Sequence, residues 1–122
     1  MAEKIKLLIV DDEEALRTIL RDELANHGYD VKDADDGDTA LDILKGNFQD
    51  VVILDVKMPK IDGMEVLRRI RQNNLANKVI MLTGFDELKI ARQSLQLGAN
   101  DFMTKPFQFS TLFDCIERVL KE

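Results

Sequence analysis

Apolar runs of four to seven residues alternate along this chain with longer segments in which apolar side chains recur at helical spacing. Leu7-Leu8-Ile9-Val10, Val51-Val52-Ile53-Leu54 and Val79-Ile80-Met81-Leu82 are uninterrupted. A strand with no polar position suits a sheet covered on both faces, which is the condition of a parallel sheet. Two shorter and more polar stretches, around Tyr29 to Ala34 and Asp101 to Thr104, read as the second and fifth strands, both at edges. Between strands, Glu14 to Asn26 carries Leu16, Ile19, Leu20 and Leu24 on one stripe and stops at Gly28, a residue suited to ending a helix. Further helices are predicted at Thr39 to Lys45, Met64 to Arg71, Glu87 to Leu97 ahead of Gly98, and Phe109 to Leu120. The order βαβαβαβαβα is that of βα units wound around a parallel sheet, an α/β fold.

Composition narrows this picture. At 122 residues and 45% hydrophobic content the chain builds one core, and residues 1–122 read as one domain without repeat, linker or low-complexity stretch. Acidic residues outnumber basic ones by 23 to 17, and a net charge of −6 disfavours direct contact with nucleic acid. No apolar run approaches the roughly 18 residues of a membrane span, and no apolar segment of a signal peptide follows Met1 to Lys6. A soluble, cytoplasmic chain with no membrane partner is expected. The single cysteine, Cys115, lies among Leu112, Ile116, Val119 and Leu120 at helical spacing and reads as a core thiol.

Ligands of a doubly wound sheet bind beyond the carboxyl ends of its strands. Here those ends are polar: strand one runs into Asp11 and Asp12, strand three into Asp55, strand four into Thr83, strand five into Lys105 and Pro106. Carboxylates brought this close repel one another unless a cation favours their charged forms. The candidate ligands are all oxygens, so a hard ion such as Mg²⁺ fits better than Zn²⁺, with Mn²⁺ a substitute. Phosphoryl transfer requires a nucleophile, a metal and donors that hold the transferred oxygens. Asp55 fits the nucleophile, Asp11 and Asp12 the metal ligands, Thr83 a hydroxyl donor and Lys105 a cationic clamp.

At this constellation the chain resembles the response-regulator receiver domains, including the single-domain chemotaxis regulators and sporulation-phosphorelay intermediates. The matching stretches are Ile9-Val10-Asp11-Asp12-Glu13; Leu54 to Pro59 running on to Asp62-Gly63; Leu82-Thr83-Gly84; and Gly98-Ala99 through Phe102 to Lys105-Pro106-Phe107. The resemblance spans essentially the whole chain and implies a flavodoxin-like (βα)5 sheet of order 2-1-3-4-5. It implies phosphorylation of Asp55 by a sensor histidine kinase or histidine phosphotransfer protein, followed by autodephosphorylation, with no other enzymatic activity. It implies metal held by Asp12, Asp55, the main-chain carbonyl of Lys57 and, through water, Asp11. A cis peptide before Pro106, and a switch in which Thr83 moves toward the phosphoryl group while Phe102 turns inward, are implied as well. Helix four, strand five and helix five would then be read by a downstream protein. A monomer is expected, with dimerisation on phosphorylation as a further outcome. A chain with its own Met1 and no trailing linker favours a stand-alone regulator.

Other positions modulate that expectation. Gly84 opens access for water or a donor imidazole, whereas Lys57 and Phe85 flank the site and would screen it; the two effects oppose. Phe102 lacks the hydroxyl of the tyrosine often found there. Ala15, Leu16 and Ile19 give helix one more apolar surface than one buried stripe requires, so they are candidates for kinase docking as well as for core packing. The alternatives remain ordinary ones: Asp11 and Asp12 as helix caps, Thr83 as an N-cap, Lys105 solvated, Phe102 simply core. His27 reads as a helix-terminal residue, Met58, Met64, Met81 and Met103 as gap-filling core, and Arg68, Arg69 and Arg71 as a solvated face. Rival functions are a degenerate receiver, which would lack one of the acidic, threonine or lysine positions, and a flavodoxin-like nucleotide or flavin binder. The latter needs a glycine- or hydroxyl-rich loop where Asp11-Asp12-Glu13-Glu14 stands.

Overall fold

Five strands and five α-helices alternate in a computed structural model that describes residues 3–122. The strands are β1 (Lys6–Val10), β2 (Asp30–Ala34), β3 (Gln49–Asp55), β4 (Ala76–Thr83) and β5 (Asp101–Thr104). The helices are α1 (Glu14–Asn26), α2 (Gly37–Gly46), α3 (Gly63–Asn73), α4 (Leu88–Gln96) and α5 (Phe109–Leu120), with a 3₁₀ turn at Phe85–Glu87 leading into α4. All strand pairs are parallel and their order is β2-β1-β3-β4-β5, which makes β2 and β5 the edges.

Because side chains alternate across a strand, each apolar run feeds two cores. Leu8, Val10, Val52, Leu54, Val79 and Met81 pack under Ala40, Leu41 and Leu44 of α2 and Val66, Leu67 and Ile70 of α3. Leu7, Ile9, Val51, Ile53, Ile80 and Leu82 pack on the other face, under Leu20 and Leu24 of α1 and Leu112, Ile116 and Val119 of α5. Each fully buried aliphatic side chain of this kind is worth about 1.5–3 kcal/mol relative to exposure. The chain turns back between β1 and β3, the switch point where a doubly wound sheet opens a crevice.

Three helices begin or end as their sequences dictate. Asp36 caps α2 by accepting the Thr39 N–H at 2.8 Å, and Asp62 caps α3 by accepting the Glu65 N–H at 3.0 Å. Gly28 follows α1 with φ +101°, the left-handed conformation that glycine adopts at least cost.

One expectation fails. Arg71 is not part of a solvated face: it is half-buried, and its guanidinium donates to the carbonyls of Gly98 (2.9 Å), Ala76 (3.3 Å) and Asn77 (2.9 Å) and to Asn100 Oδ1 (2.9 Å). It closes the end of α3 onto β4 and the α4–β5 turn, while Arg68 and Arg69 stay exposed and pair with Glu65.

Candidate functional site

Strand register decides which polar ends meet. Val10 of β1 pairs with Leu54 of β3, so Asp11 and Asp55 leave the sheet side by side. Thr83 pairs with Thr104, and the next N–H, that of Lys105, donates to the Thr83 carbonyl at 2.7 Å. One rim of the sheet thus receives Asp11, Asp12, Asp55, Thr83 and Lys105. Oxygens of Asp11, Asp12 and Asp55 lie within 4.8 Å of one another. Asp11 is fully buried, Asp55 is 6% exposed, and Asp12 is open to solvent.

The two oxygens of Asp11 have separate partners. Oδ1 accepts the Glu13 N–H at 2.9 Å, which fixes the turn into α1, and Oδ2 accepts from Lys105 Nζ at 2.8 Å. The α1 N-cap is Glu13, so helix capping does not account for Asp11 or Asp12. Lys105 Nζ also stands 3.5 Å from Asp55 Oδ2, and Asp55 Oδ1 accepts the Lys57 N–H at 3.3 Å. Burial, and then the charge of Asp11, push the Asp55 carboxyl up to about 6 against the opposing pull of Lys105 and the Lys57 N–H. For Lys105, burial alone would lower the pKa, but the hydrogen bond to Asp11 and the charges of Asp55 and Asp11 outweigh it and hold it above its ordinary value.

One ammonium leaves three clustered carboxylates with an excess of negative charge, which a further cation would offset. The donor set is all oxygen and partly open at Asp12. It fits a hard divalent cation that keeps some of its water.

Thr83 is fully buried at this rim, but its hydroxyl is turned from Asp55: it donates to the carbonyls of Gly84 (3.2 Å) and Glu87 (3.4 Å). Phe102 is partly buried against the α2–α3 side of the core. The Lys105–Pro106 peptide is cis. Lys57 is exposed and Phe85 is 69% exposed. Ala15 and Ile19 are exposed on α1, Ile19 by 49%, while Leu16 is half-buried against the α1–α5 core. Leu16 also borders a pocket with Lys105, Pro106, Phe107 and Phe109, which joins the α1 face to the acidic rim.

Residues outside the rim play the bland parts expected of them. His27 is exposed and stacks on Phe113 at 4.1 Å between ring centres. Met58, Met81 and Met103 are buried and Met64 partly so. Cys115 is buried beside Asp101, and burial, followed by that charge, pushes its thiol up to about 12, which removes it as a nucleophile.

Three supporting residues carry roles that the sequence does not assign. Arg17 donates from Nη1 to the Asp11 carbonyl and from Nε to Asp33 Oδ2, each at 3.0 Å, and so ties the acidic turn to α1 and β2. Gly63 starts α3 against the end of β3, where an added Cβ would lie 2.1 Å from the Asp55 carbonyl oxygen. Glu87 accepts the Gly84 N–H through Oε1 at 3.3 Å. Of these, only Gly63 left a signal, as the glycine of the Asp62-Gly63 pair that closes one of the matching stretches.

Fold and rim together define an α/β domain with a cluster of carboxylate oxygens beyond the carboxyl ends of its parallel strands. The model of the response regulator receiver domain matches residues 7–117. The alkaline phosphatase synthesis transcriptional regulatory protein PhoP of Bacillus subtilis is 46% identical over 102 residues, which are 84% of this chain and 42% of that protein. Response regulator MprA of Mycobacterium sp. (strain KMS) is 38% identical over 117 residues, 96% of this chain and 51% of its own length. The chain therefore spans about half the length of these curated relatives. Among solved structures, the chemotaxis response regulator CheY4 of Vibrio cholerae superposes with a TM-score of 0.89 at 31% identity, covering 96% of this chain and 99% of that one. The receiver domain of the Francisella response regulator 1452 does so with a TM-score of 0.88 at 30% identity, covering 97% and 98%. The chain belongs to the response regulator receiver domain family of two-component signalling.

Proposed function

We propose that Asp55 is the phosphoacceptor of a signalling switch, supplied by a sensor histidine kinase or a histidine phosphotransfer protein. An Asp55 oxygen attacks phosphorus, the P–N bond to the donor imidazole breaks, and its electron pair remains on the ring nitrogen, which takes up a proton. The product is an acyl phosphate. In the reverse sense of the switch, a water oxygen attacks phosphorus, the P–O bond breaks, and the Asp55 carboxylate and inorganic phosphate are restored. The domain catalyses only these two reactions of its own side chain.

Asp12, Asp55 and the Lys57 carbonyl would hold Mg²⁺ or Mn²⁺ directly and Asp11 would do so through water. When bound, the cation supplies the charge neutralisation that phosphoryl oxygens and clustered carboxylates need. Lys105, already anchored by Asp11 and 3.5 Å from Asp55, pairs with a phosphoryl oxygen, and Thr83 supplies a hydroxyl donor once it turns inward. The added phosphate charge is the cause of that turn, with Phe102 filling the space released. The face made by α4, β5 and α5 is read by a downstream protein in the cytoplasm, and Leu95 of α4 is exposed. The resting chain is read as a monomer that can pair on phosphorylation.

The observation that carries this reading is the meeting of the Asp11, Asp12 and Asp55 oxygens within 4.8 Å of one another, with the Lys105 ammonium against Asp11 and Asp55. Incubation with acetyl phosphate and Mg²⁺ followed by mass spectrometry tests it. The wild type gains one phosphoryl mass and Asp55→Asn gains none; equal labelling of both would remove the assignment.

A further inference from the structure

We propose that Glu87 pins the turn between β4 and α4 shut and thereby holds the Thr83 hydroxyl away from Asp55 in the unphosphorylated domain. Glu87 is a positioning residue that acts through Thr83 and Gly84, and its role rests on the reading of Asp55 as phosphoacceptor.

A phosphoryl group on Asp55 has oxygens that need donors, and Thr83 offers a side-chain hydroxyl at the end of the neighbouring strand. Its one proton is committed elsewhere, to the carbonyls of Gly84 and Glu87. The same Glu87 accepts the Gly84 N–H on its carboxylate at 3.3 Å, and its own N–H donates to the Gly84 carbonyl at 3.1 Å. Three hydrogen bonds therefore close one short turn on itself, and Glu87 takes part in each through its carbonyl, its carboxylate and its N–H. Thr83 cannot turn toward Asp55 without surrendering the bond to Glu87.

Residue 84 leaves room for this closure. A Cβ built there would stand 2.9 Å from Asp86 Oδ1 and 3.2 Å from Glu87 Oε1, so an alanine would press the ends of both carboxylates outward from the turn. The openness of Gly84 thus has a second consequence besides access for water: it admits the pin.

The pin is separable from the negative charge of Glu87, because glutamine keeps an acceptor oxygen while alanine removes it. Amide NMR of the unphosphorylated protein, without any donor, reads the turn directly. Glu87→Ala is expected to shift the Gly84 and Thr83 amide resonances, and Glu87→Gln to restore most of the wild-type positions. Phosphorylation by acetyl phosphate at saturating Mg²⁺ is expected to run about two- to tenfold faster in Glu87→Ala, the size set by one net hydrogen bond. Gly84→Ala, which presses the carboxylate ends outward with Glu87 intact and so lengthens the 3.3 Å bond to the residue 84 N–H, should move both readouts the same way to a smaller extent and serves if Glu87→Ala does not fold. Unshifted amides, or unchanged or slower phosphorylation in the folded variants, would overturn the proposal, as would equal acceleration by Glu87→Gln and Glu87→Ala, which would reduce Glu87 to a charge. Phosphoryl uptake by Asp55→Asn would instead sink the site assignment, and the amide shifts, which need no phosphorylation, would still decide the pin.

Discussion

A carboxyl raised by its surroundings stores free energy that can be read from the pH dependence of stability. Asp55 ordinarily titrates near 3.8 and here titrates at about 6, so between those values the folded chain binds more protons than the unfolded one. Stability then falls as pH rises from about 4 to 6 and stays lower above, because the buried carboxylate has to be charged beside Asp11. In a chelating buffer at pH 7.5, Asp55→Asn removes that burden and is expected to stabilise the domain by up to about 2–3 kcal/mol, as each unit of pKa corresponds to 1.36 kcal/mol. At pH 4 the two proteins should unfold at nearly the same urea concentration. A substitution that destabilised at pH 7.5 would show that Lys105 already compensates the charge.

At the scale of elements, the site depends on how closely α3 is set against the end of β3. The Gly63 N–H donates to the Val56 carbonyl at 2.8 Å, and a methyl group at residue 63 would overlap the Asp55 carbonyl and crowd the Val56 Cα at 2.8 Å. Gly63→Ala is accordingly expected to cost at least about 1–3 kcal/mol and to slow Asp55 phosphorylation, since the colliding atoms belong to the acceptor's own backbone. Gly46→Ala, where a Cβ meets nothing within 4 Å, is the matched control and should be neutral or slightly stabilising in the same denaturation series. Helix α1 separates folding from recognition in another way. Ile19 is half exposed on α1, one turn beyond the Leu16 that borders Lys105 and Phe107, so Ile19→Glu should change stability by less than about 0.5 kcal/mol. Transfer from a phosphohistidine partner should nevertheless slow, while phosphorylation by acetyl phosphate keeps its rate; equal rates with the protein donor would return Ile19 to an ordinary surface residue.

Taken as a whole, the molecule was legible in its sequence wherever burial alone set the pattern. The uninterrupted runs at Leu7, Val51 and Val79 located the central strands because a two-sided sheet leaves no polar alternation, and the polar residues that broke those runs located the rim. What hydrophobic period cannot express is a polar side chain reaching across elements. Arg71 lies on a helix rich in charge, yet its partners are carbonyls of Gly98, Ala76 and Asn77, which have no signature in the one-letter string. Arg17 and Glu87 were missed for the same reason, since both act on backbone groups, at Asp11 and Gly84. The rim and the fold are coupled through those same backbone ties, so occupancy of the site should be felt by the whole domain. A cation that binds only the folded arrangement of Asp11, Asp12 and Asp55 raises the unfolding free energy by about 1.4 kcal/mol at ten times its dissociation constant. Thermal unfolding at pH 7.5 should therefore move upward with added Mg²⁺ or Mn²⁺ and return on chelation. The increment should shrink as pH is lowered through 6, where protons compete for Asp55, because each proton bound there removes a ligand charge. A melting temperature indifferent to divalent cations at pH 7.5 would mean that Lys105 alone keeps the carboxylates together.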